Sequence, residues 1–141
     1  MFSILITSLI FKTIYLNHII NQQTSAQANT PKIAIVIDDF GGEDTTGVNE
    51  MLSIKCPITV AVMPNLPNSR EHAFRATTAG FQVILHLPME PVNGKSSWLG
   101  PGAIYCNLTD IEIKEKLKED LDSVPFAVGI NNHTGSRATR K

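Results

Sequence analysis

No acidic residue precedes Asp38, and cysteine is nearly missing, with only Cys56 and Cys106 far apart in the chain. Two such cysteines match no close-spaced thiolate metal pattern, which excludes a cysteine-based zinc module. Pairing would be open to them in an exported protein, but the simpler reading makes each a small buried residue. There is no basic patch interleaved with aromatics, since Arg137, Arg140 and Lys141 form the one basic cluster, at the extreme C-terminus. With a formal net charge of -1, the chain lacks the field that a nucleic-acid or anionic-membrane surface requires. Long uninterrupted apolar runs are also lacking: "FSILITSLIF" stops at Lys12, and the weaker "TIYLNHII" carries Asn17 and His18. That composition makes a poor membrane span.

What is present divides into two unequal parts. Residues 1–28 combine the apolar run with a polar stretch ending in Ala26-Gln27-Ala28, an A-x-A pattern of the kind that closes secretory signals. The expectation is a signal peptide or, if it stays uncleaved, a membrane anchor; the membrane would then be met only through this segment. The protein is accordingly read as exported to the cell envelope or beyond. Residues 29–141 form one globular domain or part of one, with 43% hydrophobic and 18% charged residues overall.

From Pro31 onward, strand-like and helix-like segments alternate. "KIAIVID" is a β-branched run that ends on the acid pair Asp38-Asp39, and Val48, Met51 and Leu52 recur at helical spacing. "PITVAVMP" is a second strand bounded by prolines. "NSREHAFRATTAG" opens on a capping-box pattern, Asn68 with Glu71, and closes on Gly80. "FQVILHL" is a third strand, followed by the turn-rich loop "PVNGKSSWLGPG". A second capping box, Thr109 with Glu112, heads a helix whose Ile113, Leu117, Leu121 and Val124 are expected to share its apolar face. "FAVGINN" is the fourth strand. Such alternation predicts an α/β fold with a mostly parallel sheet.

The polar residues that stand out, Asp38, Asp39, His86 and His133, all fall at C-terminal ends of predicted strands, where α/β folds collect their chemistry. Adjacent carboxylates are costly unless a cation or a proton separates their roles. In "HLPMEP", two prolines stiffen the segment that presents His86, and rigid presentation suits a metal ligand. Glu90 has three available roles: ligand, partner of an imidazole, or contact to a substrate hydroxyl. In "GINNHTGSR", Asn131, Asn132, His133, Ser136 and Arg137 crowd a glycine-flanked segment that reads as a ligand loop. His72, mid-helix, is read as a solvated surface residue, and His18 belongs to the leader. Two acids, two histidines and a further acid form a nitrogen and oxygen ligand set suited to a divalent metal, zinc first, with manganese or nickel next. A phosphoacceptor receiver domain would need an aspartate where this chain has His86.

The blocks "AIVIDDFG", "ITVAVMPNLPNSREHAFRATTAGFQVILHLPMEP", "GPGAI" and "AVGINNHTGSRAT" resemble, in order, the divergent polysaccharide deacetylase family, which is related to NodB-type carbohydrate esterases. The resemblance runs from about Lys32 to Thr139. It implies a distorted β/α barrel and metal-dependent removal of N-acetyl groups from an envelope carbohydrate polymer. It also implies Asp38 as general base and Asp39 as metal ligand. The better known deacetylases place two histidines four residues apart in one loop; here His86 matches the first and Glu90 stands at the second. His133 is assigned the missing imidazole from its strand-end position. Arg137 is expected to orient or pair with Asp38, Asn132 and Glu90 to contact substrate, and Trp98 to stack on a sugar ring.

The histidine-to-glutamate difference leaves a second reading open, a non-catalytic carbohydrate-binding envelope protein. A closed barrel needs about eight βα units and about 200 or more residues. Residues 29–141, with four predicted strands, are therefore expected to be the N-terminal portion of such a domain.

Overall fold

The β-branched run ending at Asp38-Asp39 does form a strand, and the alternation after it continues as the sequence predicts. The computed structural model describes residues 13–17 and 31–140. It divides into two units, Met1–Ile33 and Ala34–Lys141. Of the first, residues 13–17 are helical and exposed, and the remainder of the expected signal segment, His18 included, lies outside the described residues. Among the described residues no helix is long and apolar enough to cross a membrane.

The second unit contains β1 (Val36–Phe40), α1 (Val48–Leu52), β2 (Thr59–Val62), α2 (Ser69–Thr78), β3 (Gln82–Met89), a 3-10 turn (Ser96–Trp98), α3 (Asp110–Ser123) and β4 (Ala127–Thr134). All four strands are parallel and lie in the order β1-β2-β3-β4. A sheet whose spatial order follows its chain order, with crossover helices between strands, is an arc of a β/α barrel.

Val60, Val62, Val83 and Leu85 form the centre of the core against Ala73 and Ala76 of α2 and Val124 after α3. Ile113 and Leu117 pack on its edge. Leu121 does not share that position; it is exposed, and Asp120 is the buried residue of α3. Two further expectations change at this level. The Thr109–Glu112 capping box forms, but the Asn68 side chain does not cap α2. It donates instead to the carbonyl of Gly42 at 2.8 Å, and Glu71 pairs with Arg75. Cys56 and Cys106 are both exposed and both free, so neither the buried reading nor a disulfide holds.

β3 and β4 are longer than their apolar runs. Pairing of Pro88 with His133 and of Met89 with Thr134 carries both strands past the apolar residues. A bridge from Met89 to Ile104 brings the long loop back onto the end of β3, held by Glu90 N to Ile104 O (2.9 Å) and Ile104 N to Pro88 O (2.8 Å). His86 and His133 therefore sit within strands and not in the loops beyond them. Backbone pairing, which involves no side-chain hydrophobicity, is what extends the strands.

At the other side of β4 the described residues provide no strand partner. Phe126, Val128 and Ile130 are exposed there. Ile130 pairs in register with Leu85 and so shares the face that α2 and α3 cover further along the sheet.

Candidate metal centre

Asp38 and Asp39 would point to opposite faces of a regular strand. The pairing register of β1 against β2 shifts between Ile37 and Phe40, and Asp39 adopts φ 65°. This bulge turns both carboxylates toward β3 and β4. Gly41 follows at φ 112°; a Cβ there would stand 3.0 Å from the Met63 carbonyl and from Ser69 Oγ. The Gly41 N–H donates to His72 Nδ1 at 2.9 Å. His72 is therefore a buried anchor beneath the acid turn and not a surface residue, edge-on to Phe40. Burial pushes its imidazole below the usual range, against the charge of Glu71.

Three strands bring their donors together at this edge. Asp39 Oδ1 lies 3.3 Å from His86 Nε2 and 3.1 Å from His133 Nδ1. His133 Nδ1 and His86 Nε2 are 3.2 Å apart. The outer nitrogens decide what these atoms carry. His86 Nδ1 is 2.7 Å from Asn131 Oδ1, and Asn131 Nδ2 donates to Asp38 Oδ1 at 3.0 Å. A carboxylate only accepts, so the Asn131 amide nitrogen faces Asp38 and its oxygen faces His86. His86 Nδ1 then bears the proton and Nε2 is a bare lone pair. His133 Nε2 meets the carbonyl of Trp98 at 3.2 Å and must donate to it, which leaves Nδ1 bare as well.

Two imidazole lone pairs and a carboxylate oxygen thus converge with no proton among them when both rings are neutral. Such a set repels itself unless a proton or a cation lies between its members. A tetrahedral ion with bonds of about 2.0–2.1 Å has ligand atoms about 3.3 Å apart. The three observed separations fit that edge, so Asp39, His86 and His133 can hold a divalent metal. His86 is buried, whereas the Asp39 carboxylate is 66% exposed, so the centre opens to solvent on the acid side. Asp38 flanks it, with Oδ1 at 3.8 Å from His86 Nδ1. A hollow of about 210 Å³ adjoins the two acids, lined also by Ile37, Val48 and Met51.

Of the other expected site residues, Arg137 and Glu90 engage one another. Arg137 pairs with Glu90 Oε1 at 2.7 Å and not with Asp38. Glu90 Oε2 accepts from the Cys106 N–H at 2.8 Å, and its carbonyl accepts from the N–H groups of Arg137 and Ala138. The Cys106 backbone N–H foremost, with its thiol and Arg137, holds the Glu90 carboxyl below the usual range, and Glu90 in turn pushes the Cys106 thiol up. Glu90 thus ties the end of β3 to the loop before α3 and to the turn after β4. Asn132 alternates away from His133 and bonds the Thr134 carbonyl. Trp98 is 61% exposed, with its carbonyl on His133.

Asn131 is the residue whose role the sequence did not single out. Period-two alternation carried the signal, since positions 131 and 133 share one face of β4 and 132 the other.

An arc of parallel βα units with this centre at its C-terminal edge is the architecture of a polysaccharide deacetylase-type barrel. The chain belongs to the divergent polysaccharide deacetylase family, whose sequence profile matches residues 35–141. It is similar to the uncharacterized protein YibQ of Escherichia coli (strain K12), with 40% identity over 108 residues, 77% of this chain and 33% of that protein. An uncharacterized protein of Haemophilus influenzae is 30% identical over 119 residues, 82% of this chain and 40% of its own length. The chain thus spans two-fifths or less of the length of these curated relatives. Among solved structures, the uncharacterized protein ATU2773 from Agrobacterium tumefaciens C58 superposes with a TM-score of 0.65 at 20% identity. That superposition covers 74% of this chain and 42% of that one, and it shows the shared fold.

Proposed function

We propose that this chain carries the metal-binding residues of a hydrolase that removes N-acetyl groups from an envelope carbohydrate polymer. The observation that supports it most is the convergence of Asp39 Oδ1, His86 Nε2 and His133 Nδ1 within 3.3 Å, with Asp38 beside them. Zinc fits the donor types best, two imidazole nitrogens and one carboxylate oxygen. A divalent cation held there supplies Lewis acidity toward an amide carbonyl and acidifies a water.

The chain's own residues account for the rest. Asp38, with its side chain 48% exposed, accepts a proton from the attacking water and later delivers it to the departing amine. Asn131 holds that carboxylate through one oxygen, leaving the other free for the proton. The hollow beside the acids gives room for a small acyl group on the apolar surfaces of Ile37, Val48 and Met51. Trp98 offers an exposed ring for a sugar face. Export to the envelope completes the proposal, resting on the A-x-A pattern at Ala26–Ala28.

The second reading, a carbohydrate binder without catalysis, is favoured by one feature. Glu90 replaces the second loop histidine of the better known deacetylases and is engaged with Arg137.

Zinc content and deacetylation of an N-acetylated glucosamine oligomer, compared between wild type, Asp39→Ala and Asp38→Asn, separate the two. The hydrolase predicts zinc and activity in wild type, loss of both in Asp39→Ala, and loss of activity alone in Asp38→Asn. Zinc without turnover, with oligomer binding retained, selects the binder, and absence of zinc from wild type rejects the hydrolase.

A further inference from the structure

Asn131 touches both functional halves of the site, the acid that moves protons and a ring that faces the metal position. We infer that Asn131 is a positioning residue that fixes the His86 tautomer and the Asp38 carboxylate together. The reaction half of this inference rests on the proposed hydrolase activity; the tautomer half does not.

The argument is one of hydrogen-bond polarity. His86 and Asn131 are register partners on adjacent parallel strands, so their side chains lie side by side on one face. The amide has one end that donates and one that accepts, and the Asp38 carboxylate permits only the donating end to face it. Its oxygen is thereby committed to His86 Nδ1 at 2.7 Å. The ring is buried, so an alternative tautomer would leave Asn131 Oδ1 facing a bare nitrogen lone pair away from water. The proton stays on Nδ1, and Nε2 points inward unprotonated toward Asp39 and His133.

Few other side chains meet both demands. An aspartate at 131 would still accept from His86 but would bring a second carboxylate against Asp38. An alanine or leucine would release both partners. Outer partners that orient a ligating histidine generally matter about 10–100-fold for metal affinity.

The test reads the tautomer of the neutral His86 ring in the metal-free protein from its ring nitrogen resonances, and zinc binding by calorimetry. Wild type is expected in the Nδ1–H form. Asn131→Ala is expected to populate the Nε2–H form and to bind zinc about 10–100-fold more weakly. Asn131→Asp is expected to keep the Nδ1–H tautomer and to bind zinc at least as tightly as wild type. It should lower kcat on the glucosamine oligomer by about tenfold or more at unchanged KM, because Asp38 has lost its donor.

Thermal unfolding of each variant reports whether it folds. If Asn131→Ala does not fold, Asn131→Asp decides: loss of the Nδ1–H tautomer there overturns the inference. So does an Nε2–H wild type, or a folded Asn131→Ala with wild-type tautomer and zinc affinity. A wild type that binds no zinc removes the hydrolase reading, while the tautomer comparison still decides the role of Asn131.

Discussion

His86 Nε2 and Asp39 Oδ1 stand 3.3 Å apart with no hydrogen to share, because the only proton of the neutral His86 ring is committed to Asn131 on its other side. Two acceptors at that separation destabilise each other until a cation or a proton joins them. With both rings neutral, the fold therefore sets acceptors against one another at the position where a cation would join them.

Relief of that contact should be measurable as stability. Free zinc at 100 times its dissociation constant is expected to stabilise the wild type by about 2.7 kcal/mol, and chelation should reverse the gain. In Asp39→Ala and in His86→Ala the zinc-dependent rise in melting temperature should vanish. Differential scanning fluorimetry with and without zinc checks this.

Asp38 should behave as a proton carrier and not as a ligand. Asp38→Asn is expected to lower kcat by about 10²–10⁴-fold, the usual contribution of a general base, with zinc affinity close to wild type. Loss of zinc in this variant would make Asp38 a ligand and reverse the division of labour between the two acids.

Glu90 ties segments together and is not expected to hold metal. Glu90→Gln should bind zinc as wild type does but unfold at lower temperature. Its carboxyl lies below the usual range when folded, so the stability it contributes is fully present above the unfolded value near 4.5 and fades as pH falls through the folded value. The difference in melting temperature between wild type and variant should shrink below about pH 4.

Asp120 works in the opposite direction. It is fully buried in α3, where burial foremost raises its pKa to about 6, against Lys116 and the hydrogen bond from Asn65. Its Oδ2 has no hydrogen-bond partner among the described residues. A carboxyl raised from 3.8 costs no stability below about pH 4, an increasing amount up to about pH 6, and a constant amount above. The full cost is at most about 3 kcal/mol. Asp120→Asn should therefore stabilise the protein at pH 7 and lose that advantage by pH 4. Urea titrations at the two pH values give the comparison.

For the 141-residue chain taken by itself, the open side of β4 predicts self-association. Val128 and Ile130 are exposed on a strand that lacks a partner among the described residues, an arrangement that invites pairing with another chain. Val128→Lys is expected to shift the protein toward monomer in sedimentation velocity experiments, leaving zinc affinity unchanged.

Much of this architecture was legible in local signals. β-branched runs, the Thr109–Glu112 capping box and Gly80 mark elements that form as expected, because each depends on a few neighbouring residues. Strand lengths were not legible, since β3 and β4 are extended by backbone bonds to segments distant in sequence. The faces of α3 were misjudged at Leu121 and Asp120 for a related reason. Which side of a helix is covered depends on what the Asn65 and Gly102 loops bring against it. His72 followed the same pattern, as only the fold places the Gly41 N–H over its ring.

The sequence by itself determined the donor types, the alternating α/β order and the placement of polar residues near strand ends, because composition and period are properties of short segments. The tertiary structure alone decided which donors meet. A bulge at Asp38-Asp39 overrides strand alternation, the parallel register seats Asn131 beside His86, and Arg137 is drawn to Glu90. Distances between residues dozens of positions apart follow from strand pairing and packing, which no local pattern encodes.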